Sequence, residues 1–280
     1  LAMAYKTLGQ RSEAERALDE SFELDPERRE LVTALEHQQA GEFGKAEIIC
    51  REILRRDPRN VNATRMLGTL ARDLGKPRLA ARMLRNAVKI APDFFGAQID
   101  LARALIEIDE LDECVPVVME AIKLQPELPQ PYSLLGNLHT KRGKFEEAVA
   151  AYKQALDKQP NHGSSLAGMG HALKTIGRQE ESIDTYRDCI RKFPEFGEAY
   201  WALANLKTFR FSDDEVATME KAVANEKLSD ETRVNFNYSL GKSYEDSGDY
   251  DRAFAAYARG NALRRPNENY DPVHTETVHD

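Results

Sequence analysis

Apolar residues recur along this chain at helical intervals. Between Val61 and Phe94, Leu67, Leu70, Ala71 and Leu74 share one face, and Ala80, Leu84, Ala87 and Val88 share a second. Such i, i+3, i+4, i+7 spacing marks amphipathic helices. Gly75 separates the two runs, where glycine suits the left-handed residue that ends a helix, and Pro92 follows the second run, where a helix cannot continue. The segment predicts two antiparallel helices joined by a tight turn.

The same layout returns along the chain. Pro26, Pro58, Pro92, Pro126, Pro160 and Pro194 are separated by 32, 34, 34, 34 and 34 residues. Gly9, Gly41, Gly75, Gly143 and Gly177 each precede one of those prolines by 17, and Asp109 takes the glycine's place in the remaining unit. Two phased series identify an internal repeat. Within a 34-residue frame, small residues fill position eight (Gly68, Ala102, Gly136, Gly170, Ala204, Gly241) and position twenty (Ala46, Ala80, Cys114, Ala148, Ser182, Ala253). Larger residues occupy position seven (Leu67, Leu101, Leu135, Met169, Leu203, Leu240) and position twenty-four (Leu84, Val118, Tyr152, Tyr186, Tyr257). The small residues mark where paired helices must approach closely.

Leu-Gly at seven and eight, Ala at twenty, Tyr at twenty-four, Ala at twenty-seven and Pro at thirty-two resemble the tetratricopeptide repeat. The resemblance covers nearly the whole chain and implies an all-α fold, an αα superhelix of stacked antiparallel helix pairs. The frames give a truncated unit at 1–28, then units at 29–60, 61–94, 95–128, 129–162, 163–196, 197–233 and 234–267, with a polar exit linker at 268–280. Leu1 falls at frame position seven, so Leu1, Ala2 and Tyr5 are expected to lack an upstream partner, and that edge to fray or self-associate.

The unit at 197–233 departs from the frame. Its first helix, EAYWALANLKT, reads as orthodox, but position fifteen is Phe211 instead of Gly and position thirty-two is Leu228 instead of Pro. Ser212 and Glu215 form an S-x-x-E capping box, and Asp213 and Asp214 suit the positive end of a helix, so this acidic trio reads as capping and not as a metal site. In the last unit Gly260 replaces Ala at position twenty-seven. The run WALANLKTFRFSDDEVATME, followed by LGKSYEDSGDYDRAFAAYARGNALRR and YDP, resembles the end of the repeat region in bacterial sulfotransferases that carry N-terminal tetratricopeptide repeats. That family implies a following domain that transfers sulfuryl from 3′-phosphoadenosine 5′-phosphosulfate, with a P-R-S-G-S/T-like loop that is absent from these 280 residues.

Composition fits a packed chain: 41% of residues are hydrophobic, 39 are basic and 47 acidic, for a net charge of −8. The acidic balance argues against a general nucleic-acid binder, and no apolar stretch reaches the roughly 18 residues of a membrane span. A soluble, cytoplasmic location is expected. Cys50, Cys114 and Cys189 are too few and too dispersed for a disulfide framework or a zinc site and fall at packing positions. His37 and His139 share position eleven, also a packing site. No zincin, nucleophile-elbow, Walker or dinucleotide motif occurs, so no catalytic residue, metal or cofactor is expected.

Binding is the better reading. In the tetratricopeptide family, frame positions two, five, six, nine, twelve and thirteen face the concave groove. Position nine carries Arg103, Asn137, His171, Asn205 and Lys242, a polar ladder suited to an extended peptide. Groove charge is mixed, with Arg65, Arg72, Arg103, Lys141, Lys174 and Lys242 offset by Asp73, Asp100, Glu107, Glu198, Glu245 and Asp246. The two central units instead offer Ser133, Asn137, Thr140, Lys141, Ser164, His171, Lys174 and Thr175 and no carboxylate. The expected site is Arg103, Lys141 and Lys174 for carboxylates, Asn137, His171 and Asn205 for backbone, and Trp201 for an apolar side chain. The family's two-carboxylate clamp is matched by no three consecutive units. The expectation is a non-catalytic module that binds a protein or extended acidic peptide for an attached sulfotransferase; the alternatives are a sulfotransferase acting as a whole and a structural array for oligomerisation.

Overall fold

The computed structural model describes residues 26–206 and 208–265. The N-terminal edge at Leu1, Ala2 and Tyr5 and the exit linker therefore lie outside the described residues. Among the described residues there is no strand; helices follow one another in hairpins. The chain forms two compact units, Leu1–Leu134 and Leu135–Asp280.

In the first unit, α1 (Pro26–Gln39), α2 (Phe43–Arg56), α3 (Val61–Asp73), α4 (Pro77–Ile90), α5 (Phe95–Glu107) and α6 (Leu111–Leu124) are followed by the start of α7 (Pro129–Lys141). Each of the first six helices packs on its hairpin partner, and α1, α3 and α5 also touch in sequence. The turns explain the phased glycines. After α3, Gly75 sits at φ 68° and donates to the Arg72 carbonyl at 2.8 Å, while Lys76 donates to Ala71 at 2.9 Å. That pair of bonds satisfies carbonyls that the helix end would leave orphaned. After α5, Asp109 makes the same turn at φ 64°, with Glu110 donating to Leu105 at 2.9 Å.

In the second unit, the remainder of α7 leads to α8 (Phe145–Lys158), α9 (Gly163–Thr175), α10 (Gln179–Lys192), α11 (Gly197–Ala204), α12 (Asp213–Val223), α13 (Asp230–Ser247) and α14 (Tyr250–Arg264). The small-against-large pattern is steric. A Cβ on Gly170 would come 2.8 Å from the Tyr186 ring, and one on Gly241 would come 2.6 Å from Tyr257. A glycine at position eight thus leaves room for the position-twenty-four ring to pack across the hairpin.

The irregular unit corrects the sequence reading in one respect. Its first helix is not full length: α11 stops at Ala204 after 8 residues. The chain then turns through Phe209 and Phe211, whose rings meet edge to face at 4.9 Å, with Phe211 6.2 Å from Tyr200 and Tyr200 5.1 Å from Phe236. Aromatic burial here holds the chain where a helix turn and a glycine do so elsewhere. Ser212 then starts α12 with a reciprocal capping box to Glu215. Helix α13 begins at Asp230, four residues ahead of Val234, because Ser229 accepts from the Thr232 N–H at 3.2 Å and caps it there.

Candidate functional site

The site residues fall into different environments. In the first unit, the position-five and position-nine arginines converge on one carboxylate. Asp100 is buried; Arg65 Nε donates to its Oδ2 at 2.6 Å, and Arg103 lies 3.6 Å from its Oδ1. Arg72 is 3.7 Å from Asp73. The arginines that the sequence spread along a groove are thus internally paired in this unit, and Arg103 already faces an acid of its own chain.

The second unit differs. Asn137 and Lys141 lie one turn apart on α7, and Gly168, His171 and Lys174 follow one another at i+3 on α9, so each set shares a helix face. What brings the two helices together is Tyr152 of α8, whose ring is 1% exposed. A Cβ on Gly136 of α7 would come 2.5 Å from the ring, and one on Gly168 of α9 would also come 2.5 Å from it. The Tyr152 hydroxyl donates to Asn137 Oδ1 at 2.6 Å, while Thr140 Oγ1 lies 3.4 Å away and donates its own proton to the Gly136 carbonyl at 2.9 Å. Burial raises the Tyr152 pKa, which keeps the phenol protonated as a donor.

Lys141, His171 and Asn137 are exposed and Lys174 half-buried, and neither lysine has a carboxylate partner among the described residues. At the groove position nine of the last unit, by contrast, Lys242 pairs with Asp246. Ser133, one of the central polar positions, is buried. Thr140 and Thr175 spend their hydroxyl protons on the carbonyls of Gly136 and His171.

Trp201 and Asn205 depart most from expectation. Trp201 is not a bare anchor; it is half-buried, with Tyr238 of α13 at 5.4 Å between ring centroids. Tyr238 holds position five of its own unit, as Trp201 does, and its hydroxyl donates to Asn261 at 2.7 Å. Asn205 follows the shortened α11, and its Nδ2 donates back to the Trp201 carbonyl at 2.9 Å. The amide therefore closes its helix end.

Sequence reasoning missed Gly168, Tyr152 and Tyr238 as neighbours of the site. Gly168 was legible in principle: it stands at groove position six, where other units carry Met66, Asp100, Leu134, Ala202 and Ser239. Elsewhere, α1 and α3 border a cavity of about 550 Å³ lined by Leu31, Val32, Leu35 and Met66 with Arg28 and Arg65. No helix among the described residues is long and apolar enough to cross a membrane.

Helix hairpins repeated at a fixed interval, each burying its apolar face on the next, define the class of α-solenoid repeat proteins. The chain belongs to the tetratricopeptide repeat family, which matches at residues 1–28, 71–138, 129–162, 164–192 and 234–267. No curated protein matches the chain in sequence. Its fold is similar to that of crystalline MamA, 23% identical with a TM-score of 0.52 over 58% of this chain and 95% of that one. MamA from Desulfovibrio magneticus RS-1, from residue 41 to its end, is 17% identical with a TM-score of 0.53 over 60% of this chain and 95% of that one. A second crystalline MamA is 22% identical with a TM-score of 0.52 over 60% and 92%.

Proposed function

We propose that this chain is a non-catalytic scaffold that binds an extended acidic peptide segment through α7 and α9. The observation that carries this reading is the contrast in pairing. Arg65, Arg72, Arg103 and Lys242 at groove positions all face carboxylates of their own chain, whereas Lys141 and Lys174 face none among the described residues. Cations left unpaired beside an exposed carboxamide suit an anionic chain with backbone carbonyls to offer. Arg103, Trp201 and Asn205 take secondary parts, since their hydrogen-bonding or ring surfaces are already partly used.

The test is binding of a fluorescein-labelled decaglutamate peptide to the wild type and to Lys141→Glu with Lys174→Glu. Affinity is expected to fall at least about tenfold in the double variant and to weaken with salt, as partly exposed charges are screened within about 8 Å at physiological ionic strength. Equal affinity in both proteins rejects the site.

The service of this array to an attached sulfotransferase rests on the resemblance of the segments from Trp201 to Glu220 and from Leu240 to Arg265. Sulfuryl transfer from 3′-phosphoadenosine 5′-phosphosulfate by the full-length protein is the measurement that decides it, and no transfer to any peptide hydroxyl would remove it.

A further inference from the structure

We propose that Tyr152 is a positioning residue that fixes the Asn137 carboxamide with its oxygen inward and its NH2 outward, making α7 selective for an acceptor oxygen, a peptide carbonyl or a carboxylate. The inference rests on the peptide-binding reading above and specifies which atom of the ligand is read at this point.

The geometry is built from three elements. Tyr152 comes from α8, and its ring passes between the bare backbone of Gly136 on α7 and of Gly168 on α9, with a Cβ at either position reaching 2.5 Å. Because position six of the α9 unit has no side chain, the hydroxyl is not covered there: a Gly168 Cβ would lie 2.7 Å from the Tyr152 oxygen. The hydroxyl has one proton and two polar neighbours. Thr140 Oγ1 donates to the Gly136 carbonyl, so toward Tyr152 it is an acceptor at a long 3.4 Å. Asn137 Oδ1 at 2.6 Å is the short, well-placed acceptor and takes the proton. Turning the amide by half a turn would give up this 2.6 Å bond and leave the phenol proton only the Thr140 oxygen at 3.4 Å, so the oxygen-inward arrangement is the favoured one. Asn137 therefore presents its N–H groups to the outside in the favoured arrangement.

The other described hairpins lack this device. Tyr186 packs on Gly170 at the same frame position, but position nine of that unit is His171; Tyr257 donates to Glu245 at 3.0 Å instead. A donor fixed next to Lys141 favours the same anionic, carbonyl-rich ligand as the lysines and disfavours a backbone N–H at that point.

Two measurements test it. In the free protein, the Asn137 side-chain amide resonances, identified by their loss in Asn137→Ala, are expected to shift in Tyr152→Phe while backbone amides of the other hairpins stay in place. In titrations with fluorescein-labelled decaglutamate, Tyr152→Phe and Asn137→Ala are each expected to weaken binding by roughly threefold to tenfold, the scale of one hydrogen bond, and the double variant to be no weaker than Asn137→Ala alone. Multiplicative losses in the double variant, or an unmoved Asn137 amide, overturn the proposal. A wild type that binds no decaglutamate rejects the acidic-peptide reading, while the amide shift still decides whether Tyr152 holds Asn137.

Discussion

Arg65 of α3 donates through Nε to Oδ2 of Asp100 on α5 at 2.6 Å, joining the first helices of two successive hairpins through a carboxylate that is almost wholly shielded from water. The guanidinium is held from other sides as well. It lies 5.6 Å over the Phe94 ring, and a Cβ on Gly96 would come 3.0 Å from its carbon. Removing it in Arg65→Ala leaves Asp100 with only Arg103 at 3.6 Å. A buried charge stripped of its main partner costs about 2–3 kcal/mol, less than the full range because Arg65 itself is partly exposed. Faster hydrogen exchange confined to α3 and α5 is expected, and unchanged protection there would show that the pair is not needed to join them.

Asp109 stands, at φ 64°, where five other hairpins use Gly41, Gly75, Gly143, Gly177 and Gly248. A side chain in the left-handed region costs up to about 1–2 kcal/mol, less for Asp than for most residues. Asp109→Gly is therefore expected to stabilise the first unit by up to about 1 kcal/mol, partly offset by the greater freedom of glycine in the unfolded chain. Asp109→Val should destabilise it by more. Urea denaturation of both variants checks the order, and a Val variant as stable as the wild type would contradict it.

These two cases show what the sequence could and could not reveal. The turn at Asp109 was legible because it depends on backbone conformation alone, and the phase of the neighbouring glycines fixes its place. The small-against-large packing of Gly170 on Tyr186 was legible for the same reason, since it depends on frame position. Pairing was not: that Arg65 and Arg103 both turn to Asp100, while Lys141 and Lys174 turn to no acid among the described residues, depends on which rotamers neighbouring helices leave open. Nor was the early end of α11 at Ala204 visible, because EAYWALANLKT has sound helix propensity and only the burial of Phe209 and Phe211 diverts it.

Burial pushes both His139 and His162 below the usual imidazole value of 6.5, and the Nδ1 of His139 is buried without a hydrogen-bond partner. Both take up a proton at lower pH in the folded chain than in the unfolded chain, where they do so near 6.5. The unfolded state thus binds more protons as the pH falls, so their contribution is complete above about pH 7 and declines as the pH drops toward 5. Three carboxylates act with the same sign in a lower window: Glu42, lowered by its bond from Lys45, Glu113 by Arg85 and Glu181 by Arg178, each from 4.5. The first loss of stability on acidification therefore belongs to the histidines. His139→Gln combined with His162→Gln is expected to flatten the change in melting temperature between about pH 7 and 5, and an undiminished slope would assign that window to other groups.

The three cysteines are buried and none is in a disulfide. Desolvation pushes the Cys50 thiol up to about 11 and the Cys189 thiol up to about 12, the opposite of what a reactive cysteine needs. Cys114 Sγ donates to the Ala102 carbonyl at 3.5 Å across its hairpin, at the frame position that is Ala46, Ala80 and Ala148 elsewhere. Each sulfur is in effect a small core side chain. The folded protein at pH 8 is expected to resist an aromatic disulfide reagent, and all three thiols to react together once denaturant melts the array. Rapid reaction of one equivalent in native buffer would place that cysteine in a segment that opens on its own. Because Cys50 lies in the first unit and Cys189 in the second, the rates of their two modifications also report separately how often each unit opens.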